Sequence, residues 1–468
     1  MDPAPADPSA PGFGVLAMAP AVLANLERLG YLEMTPVQAA TLPLSLAGSD
    51  VIAQARTGSG KTAAFALPLL AGIDARRFEV QALVLCPTRE LSDQVTQEVR
   101  RLARSEDNLK VLTLCGGVPL RDQLTSLTHG AHVIVGTPGR VLDHLARASL
   151  RLPALRTLVL DEADRMLDMG FAPAISQVLA QCPRERQTLL FSATLSDEVA
   201  ALATRFMRDP QRVALPAQHA AQTIRQRFYE VREDQRLHAV SLLLEHYRPP
   251  STLAFCNTRQ QCADLAQVLR GQGYQALALH GELEQRERDQ VLIRFANRSC
   301  SVLVATDVAS RGLDVDRLEA VINVDLAPDP QTHLHRIGRT GRAGESGWAL
   351  SLASLEEMGS VGRIEQLQGR EVEWHALDSL TPTHDAPLLA PMVTLQIAGG
   401  RKEKIRAGDV LGALTKDLGY AAAQIGRIDV NPFSTYVAVD RQIARAALTR
   451  LDGGRIKGKV VKVRALDD

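Results

Sequence analysis

No apolar run in the chain approaches the roughly 20 residues that a membrane-spanning helix requires, which argues against a membrane protein. Residues 1–12, rich in Pro, Ala and Asp, lack the basic and apolar regions of a secretory leader, so a cytoplasmic chain with a disordered N-terminus is expected. Paired cysteines are missing as well. Cys86, Cys115, Cys182, Cys256, Cys262 and Cys300 are scattered, without C-x-x-C spacing or flanking histidines, which favours reduced, buried thiols over zinc ligands or disulfides. Aromatic residues are few, at 4%, beside 46% hydrophobic and 23% charged residues, the composition of a soluble globular protein. Net charge is absent too: 53 basic residues balance 53 acidic ones, which would speak against a nucleic-acid partner if charge were evenly spread. It is not. Residues 391–468 hold six Lys and eight Arg against eight acidic residues, a net +6, leaving −6 on the preceding 390 residues. The C-terminal segment is therefore the stronger candidate for autonomous nucleic-acid binding.

What the chain does have is a rhythm. Its 468 residues exceed one ordinary core and suggest about three domains. Short β-branched and Leu-rich runs at 50–54, 81–86, 111–114, 132–135, 157–160 and 188–191 alternate with amphipathic stretches, the pattern of a parallel sheet with helices on both faces. After a break near 210–221 the rhythm resumes at 251–255, 275–279, 301–305, 320–323 and 348–352, with no detectable sequence repeat between the halves. The expected architecture is α/β, with lobes at 13–212 and 213–380 and a Pro-containing linker at 381–391. Residues 392–468 follow as a small α+β domain, its strands expected at 392–397, 425–431, 435–439 and 458–464 and its helices at 408–418 and 441–451. That βαββαβ order fits an RRM-like sandwich.

Residues Ala55-Arg56-Thr57-Gly58-Ser59-Gly60-Lys61-Thr62 follow the apolar run 51–53 and precede an Ala/Leu-rich helical stretch. In that setting the glycines let backbone N–H groups wrap phosphates, Lys61 reaches the outer phosphates and the Thr62 hydroxyl binds Mg2+. A Gly-rich surface turn without ligand is the plain alternative, but it leaves a complete G-x-G-K-T after a strand unexplained. Asp161-Glu162-Ala163-Asp164 closes the run 157–160, at the strand end where parallel sheets present ligand sites. Asp161 there can hold Mg2+ and Glu162 can orient the attacking water. An acidic helix N-terminus accounts for the charges, not for their pairing with a phosphate loop.

Asp161 to Asp164 spells DEAD, and the chain resembles the DEAD-box RNA helicases in the order and spacing of its motifs. The resemblance implies two tandem RecA-like lobes, the superfamily 2 helicase core, with ATP and Mg2+ as cofactors. It assigns nucleotide contacts to Thr57, Gly58, Ser59, Gly60, Lys61 and Thr62, and adenine reading to Phe13, Gly30-Tyr31 and Thr35-Pro36-Val37-Gln38. The Gln38 amide can donate to and accept from the adenine edge at once, a physical reason for ATP over GTP. His335-Arg336-Ile337-Gly338-Arg339-Thr340-Gly341-Arg342 resembles the arginine-finger motif, in which Arg339 and Arg342 reach the γ-phosphate once the lobes close. In residues 305–314 the resemblance gives Thr306 to RNA and Asp314 to the ATP ribose. Ser192 and Thr194 of Ser-Ala-Thr, with Asp164 and His335, are its coupling residues.

Pro87-Thr88-Arg89-Glu90-Leu91, Gly116-Gly117 and Thr137-Pro138-Gly139-Arg140 each follow a predicted strand, where hydroxyls, backbone amides and arginines suit sugar and phosphate contacts. Each alone is a common turn; in this order they resemble the family's RNA track, with Thr88, Arg89, Gly117, Thr137 and Arg140 as its contacts. In the second lobe Phe255-Cys256-Asn257-Thr258, His280-Gly281 and Gln285-Arg286 resemble its continuation, giving Thr258 and Gly281. The implied mechanism is closure on ATP and single-stranded RNA, bending the strand so that a duplex partner cannot stay paired. The result is local rather than processive unwinding.

The tail resembles the RNA-binding domain of the DbpA subfamily through Gly399-Gly400-Arg401-Lys402, Arg406 to Leu414, Ile425-Gly426-Arg427-Ile428, Tyr436 to Val439 and Gly454 to Lys459. The subfamily implies targeting to a hairpin of the large-subunit (23S) ribosomal RNA in pre-50S particles, by a monomer without membrane partners. The strand at 392–397 has no aromatic and the next offers only Phe433 and Tyr436, so a basic edge of Lys402, Lys404, Arg406, Lys457, Lys459 and Lys462 is expected to carry the RNA contact. Alternatives of other classes are a DNA translocase, a non-catalytic RNA clamp, a general RNA remodeller without ribosomal specificity and a passive ribosomal RNA binder.

Overall fold

The computed structural model describes residues 11–55, 58–214, 224–310, 318–341, 346–381 and 386–466. The expectations placed on Thr57, Asp314 and Arg342 lie outside the described residues. The chain forms two compact units, Met1–Ala217 and Gln218–Asp468.

The first unit is built on seven parallel strands: β1 (Val51–Gln54), β2 (Ala82–Leu85), β3 (Val111–Leu114), β4 (Val133–Gly136), β5 (Thr157–Asp161), β6 (Gln187–Ser192) and β7 (Gln211–Ala214), in the order β3-β4-β2-β5-β6-β1-β7. Because successive side chains point to opposite faces, the strands feed two cores. Val84, Val135, Val159 and Leu189 enter one, and Leu83, Leu85, Ile134, Leu158 and Leu160 enter the other. Burial on both faces explains why these strands read as unbroken apolar runs.

β7 is the exception. Its residues are mostly exposed and it pairs only with β1 at the sheet edge, so no apolar run announced it; the expected division at 212/213 falls inside this strand. Asp50 holds it in place. Its buried carboxylate accepts hydrogen bonds from the backbone N–H groups of Thr188 and Arg208, both at 2.7 Å, and its carbonyl accepts from Gln211 N–H at 2.8 Å.

The second unit begins with another seven parallel strands: β8 (Ile224–Glu230), β9 (Thr252–Phe255), β10 (Ala276–Leu279), β11 (Val302–Ala305), β12 (Ala320–Asn323), β13 (Gly347–Ala353) and β14 (Trp374–His375). Their order, β10-β11-β9-β12-β13-β8-β14, repeats the first sheet position for position. The halves share a topology that their residues do not display as a repeat.

The same unit ends in an antiparallel sheet, β16-β17-β15-β20, made of β15 (Met392–Ala398), β16 (Ile425–Val430), β17 (Ser434–Asp440) and β20 (Val463–Ala465). Val393, Leu395, Ile397, Val437 and Val439 pack with Ala444, Ala447 and Leu451 of the helix Arg441–Leu451. Two expectations are corrected here. The helix expected at 408–418 is an α-helix only over Ala407–Gly412 and continues as a π-helical turn, Ala413–Asp417. The strand expected at 458–464 is instead a small hairpin, β18 (Arg455–Ile456) and β19 (Lys459–Val460), followed by β20. Lys457 and Gly458 between the hairpin strands both have positive φ, 54° and 78°, the geometry that a two-residue hairpin turn demands.

Removing the Asp50 carboxylate leaves two backbone donors without partners, at about 1–3 kcal/mol each. Asp50→Ala is therefore expected to destabilise the first unit by about 2–4 kcal/mol in urea unfolding, and Asp50→Asn, which keeps an acceptor, by clearly less. Equal losses for the two variants would contradict the clamp.

Candidate nucleotide and RNA site

The loop after β1 turns through Gly58 and Gly60 at φ of +82° and +88°, a region that side chains other than glycine rarely adopt. A Cβ on Gly60 would sit 2.7 Å from Gln38 Nε2 and 2.9 Å from Thr35 Oγ1, so glycine also permits the loop to lie against the helix Pro36–Leu46. Gln38 is buried. Its Oε1 accepts from Thr35 N–H at 2.9 Å and its Nε2 donates to the Gly60 carbonyl at 3.1 Å, tying the expected adenine motif to the phosphate loop. Both ends of the amide are thus engaged by the protein. Phe13 packs edge-on against Tyr31 with ring centres 6.1 Å apart, and the Tyr31 hydroxyl donates to Glu98 Oε1 at 2.6 Å.

Lys61 opens the helix Lys61–Ala71, followed by Thr62, and is almost fully buried. Its ammonium lies 3.9 Å from Asp161 Oδ1 at the end of β5, and neither atom has a hydrogen-bond partner. Buried charged atoms with unused capacity call for an explanation, and a phosphate against Lys61 together with a divalent cation against Asp161 fits both. Burial, reinforced by Glu162 and opposed by Lys61, pushes the Asp161 pKa up to about 6. Glu162 takes a left-handed backbone, φ 51°, and its carboxylate lies 3.4 Å from Arg165. Such a conformation in a residue other than glycine costs energy and clusters at functional sites.

The residues of this unit that were expected to couple are brought together. Asp164 Oδ2 accepts from Ala193 N–H at 3.1 Å, from Thr194 N–H at 2.9 Å and from the Thr194 hydroxyl at 3.0 Å. Ser192 closes the loop, its hydroxyl accepting from Asp164 N–H and donating to the Thr194 carbonyl at 2.7 Å.

Thr88, Gly117 and Thr137 follow β2, β3 and β4, which are neighbours in the order β3-β4-β2. Thr88 caps the helix Arg89–Leu102 by accepting from Leu91 N–H at 3.2 Å, and Arg89 lies 3.7 Å from Asp93. Arg140 donates to the Val118 carbonyl at 3.1 Å, drawing the third segment to the Gly117 turn, φ 73°. The second sheet repeats the arrangement. Thr258, Gly281 and Thr306 follow β9, β10 and β11, adjacent as β10-β11-β9. Thr258 caps the helix Arg259–Gly271, and Thr306 N–H donates to the Leu279 carbonyl at 3.3 Å.

The residue that sequence reasoning passed over is Arg336. It sits inside the quoted arginine motif without an assigned role, yet it is fully buried and joins three segments. Its guanidinium grips Asp307 with two bonds of 2.7 Å, donates to Asn257 Oδ1 at 2.9 Å and to the Asp325 carbonyl at 2.6 Å, and lies over the Phe255 ring. An Arg and an Asp that both adjoin glycine-bearing turns were the available signal. His335 and Arg336 close the helix Pro330–Ile337, and Arg339, buried, follows it directly.

In the C-terminal sheet domain the expected basic residues gather on one edge. Lys457 and Lys459 donate to the carbonyls of Lys404 and Glu403, at 2.9 and 3.1 Å, and Lys457 lies 3.6 Å from Asp409. The Lys402 ammonium stands 4.2 Å from the centre of the exposed Phe433 ring. Arg406 N–H caps against Asp409, and Lys462 is joined through its carbonyl to Ala398 N–H. Tyr436, by contrast, is buried.

Residues 35–202 match the DEAD/DEAH box helicase family, residues 235–344 the helicase conserved C-terminal domain and residues 394–465 the DbpA RNA-binding domain. The chain is 53% identical over 447 residues to the ATP-dependent RNA helicase DbpA of Escherichia coli, covering 96% of this chain and 97% of that one. It is a DEAD-box ATP-dependent RNA helicase of the DbpA type. The DEAD-box helicase CshA of Geobacillus kaustophilus is 43% identical over 77% of each chain. Among solved structures, Saccharomyces cerevisiae Dbp5 bound to RNA and ADP BeF3 matches with a TM-score of 0.73 at 30% identity, over 79% of this chain and 96% of that one. The two parallel sheets are the helicase's tandem RecA-like lobes, and its activity is ATP hydrolysis coupled to RNA unwinding. Its six cysteines are buried and free, and no helix among the described residues is long and apolar enough to cross a membrane.

Burial favours the neutral form of Asp161, so the folded helicase gains from this group below pH about 4, the carboxylate's ordinary range, and loses the gain as pH rises through about 6. Asp161→Asn, neutral throughout, should then raise the melting temperature of the nucleotide-free protein at pH 8 and leave it close to the parent only below pH about 4. A difference independent of pH would remove burial of charge as the cause.

Proposed function

We propose that the helicase hydrolyses ATP at Lys61, Asp161 and Glu162 with Arg339 and Arg342, and that its tail directs the resulting local strand separation to large-subunit (23S) ribosomal RNA during 50S subunit assembly. The observation that carries the targeting is the basic edge: Lys457 and Lys459 reach the carbonyls of Lys404 and Glu403, in the turn whose Lys402 stands over the exposed Phe433, within the segment that holds the chain's surplus of positive charge. Ammonium groups spaced along loops fit phosphates, and a single accessible ring fits one unstacked base. The 53% identity to the ATP-dependent RNA helicase DbpA of E. coli along nearly the full length supports the helicase activity.

In the first lobe Thr57, Gly58, Ser59 and Gly60 would present backbone donors to the phosphates, and Lys61 would neutralise the outermost of them. Bound Mg2+, held by Thr62 and Asp161, would neutralise charge developing on the phosphates. Glu162 would position the attacking water, its carboxylate fixed beside Arg165. In the second lobe Asp314 would hold the ribose. Gln38 would select adenine by exchanging its present partners, Thr35 N–H and the Gly60 carbonyl, for the adenine edge, so that nucleotide entry is felt by the phosphate loop. Asp164, through Ser192 and Thr194, would relay the state of the carboxylates to the loop beyond β6, and His335 would act with them from the second lobe. RNA would be held by backbone contacts from Thr88, Arg89, Gly117, Thr137 and Arg140 in the first lobe and Thr258, Gly281 and Thr306 in the second. The retained charged set, Lys61, Asp161, Glu162 and Arg339, speaks against a non-catalytic clamp.

RNA-stimulated ATPase assays on the full-length chain test this function. Fragments of large-subunit ribosomal RNA carrying the cognate hairpin should stimulate at RNA concentrations at least tenfold below those needed for hairpins of random sequence. Arg339→Ala should lower kcat by about 10³-fold or more on every RNA. The pair Lys457→Glu and Lys459→Glu should abolish only the preference. Equal stimulation by random hairpins would leave a general RNA remodeller in place of a ribosomal one.

A further inference from the structure

The Gly116-Gly117 turn after β3 is held through the carbonyls on either side of it. The Leu114 carbonyl accepts from Thr137 N–H at 3.1 Å, the Cys115 carbonyl from Gln123 Nε2 at 2.8 Å and the Val118 carbonyl from Arg140 at 3.1 Å. The N–H groups of Gly116 and Gly117, by contrast, donate to no acceptor among the described residues. Successive spare N–H groups are a donor set for an anionic oxygen.

The donor on Cys115 is itself held from behind. Gln123, buried in the helix Leu120–Leu127, has its Oε1 3.0 Å from Nε2 of His144, buried in the helix Pro138–Ala146. An amide that donates through Nε2 must accept through Oε1, so the facing ring nitrogen carries the proton. The Ser149 hydroxyl stands 2.9 Å from Nδ1 on the other side of the ring. Without the His144 N–H the Gln123 amide is free to turn over and set its oxygen against the Cys115 carbonyl, acceptor to acceptor. Val141 and Leu145, on the same helix, enter the apolar core, where a polar ring is tolerated only with its partners in place.

Three ties to the turn therefore start from one helix. Thr137, Arg140 and His144 follow at intervals of three and four residues, the spacing of a single helix face. Thr137 reaches Leu114, Arg140 reaches Val118, and His144 reaches Cys115 through Gln123.

We propose that Gln123 and His144 are positioning residues for RNA binding by the first lobe, His144 acting through Gln123 to set the Gly116-Gly117 turn with its N–H groups ready for a backbone phosphate. Neither side chain touches RNA. Ordering the turn before RNA arrives removes that cost from binding. The inference rests on the reading of Gly117 and Arg140 as RNA contacts.

Equilibrium binding of a fluorescein-labelled oligouridylate to the full-length chain with AMP-PNP and Mg2+, beside ATPase assays on the same RNA, tests the relay. His144→Phe keeps a ring and removes its donor. It should raise the Kd for RNA about tenfold, the effect of charge-assisted hydrogen bonds that no longer line up. At saturating RNA, kcat and KM for ATP should stay within about twofold of the parent. Gln123→Leu should reproduce the loss, while His144→Gln, which carries an N–H toward the same oxygen, should restore most of the affinity. Losses shared by kcat and KM for ATP, or a His144→Gln variant no better than His144→Phe, would reduce the pair to ordinary packing and overturn the proposal. Arg140→Ala separates the two readings. Weaker RNA binding in that variant with none in His144→Phe overturns the relay alone, whereas unchanged binding in both overturns the RNA track and the relay with it.

Discussion

Parallel pairing sends the carboxyl end of every strand to the same edge of its sheet, because each right-handed crossover returns the chain to the opposite edge before the next strand begins. Everything chemical in the two lobes depends on that constraint. In the first sheet it delivers Lys61, Thr88, Gly117, Thr137, Asp161 and Ser192 to one edge, although they are spread over more than a hundred residues. In the second it delivers Thr258, Gly281, Thr306 and Asp325. The sheet supplies the convergence, so each loop is free to carry a hydroxyl, a glycine or a carboxylate without also having to hold the fold. That division of labour is visible in the burial: the apolar residues of β2, β4, β9 and β11 are enclosed on both faces, while the loops that follow them are where polar and flexible residues begin.

This constraint also decides what could be read before the fold was known. Strands enclosed on both sides must be apolar throughout, and their runs placed eleven of the fourteen lobe strands to within a residue or two. The three that escaped escaped for one reason, a lack of enclosure. β7 is mostly exposed, β8 mixes Arg225, Gln226 and Arg227 with its apolar residues, and β14 spans two residues. Motifs with unusual spelling, such as the glycine loop and the DEAD tetrad, were legible because few other structures need them. Arg336 was harder to read, because it closes a helix within an arginine-rich motif and only the fold shows its guanidinium buried among Asp307, Asn257 and Asp325. Thr394 was equally silent. A lone threonine in a strand signals β-propensity, and only the folded chain shows its hydroxyl shared with Ser299 and Asn297.

The duplicated topology exposes a further contrast that neither half shows alone. Lys61 is the first residue of the helix after β1, and its topological counterpart after β8 is Arg236, the first residue of the helix Arg236–Tyr247. Both are buried, and both face a carboxylate at the end of the equivalent strand, Lys61 to Asp161 at 3.9 Å and Arg236 to Asp325 at 3.7 Å. They differ in what remains. The Lys61 ammonium has no hydrogen-bond partner, whereas the Arg236 guanidinium is consumed by Glu233 at 2.7 Å, by the Val324 carbonyl at 2.7 Å and by Glu357. A planar fork with several fixed donors suits such saturation, and a compact ammonium on a flexible stem suits a ligand that comes and goes. The loops agree with the side chains: Gly58 and Gly60 adopt positive φ before Lys61, while Arg232 to Gln235 form a glycine-free turn before Arg236. One topology thus yields a phosphate-ready site in the first sheet and an internally neutralised plug in the second. On the proposed assignment this is why the second lobe, with the same strand order, contributes arginines to hydrolysis rather than a nucleotide site of its own.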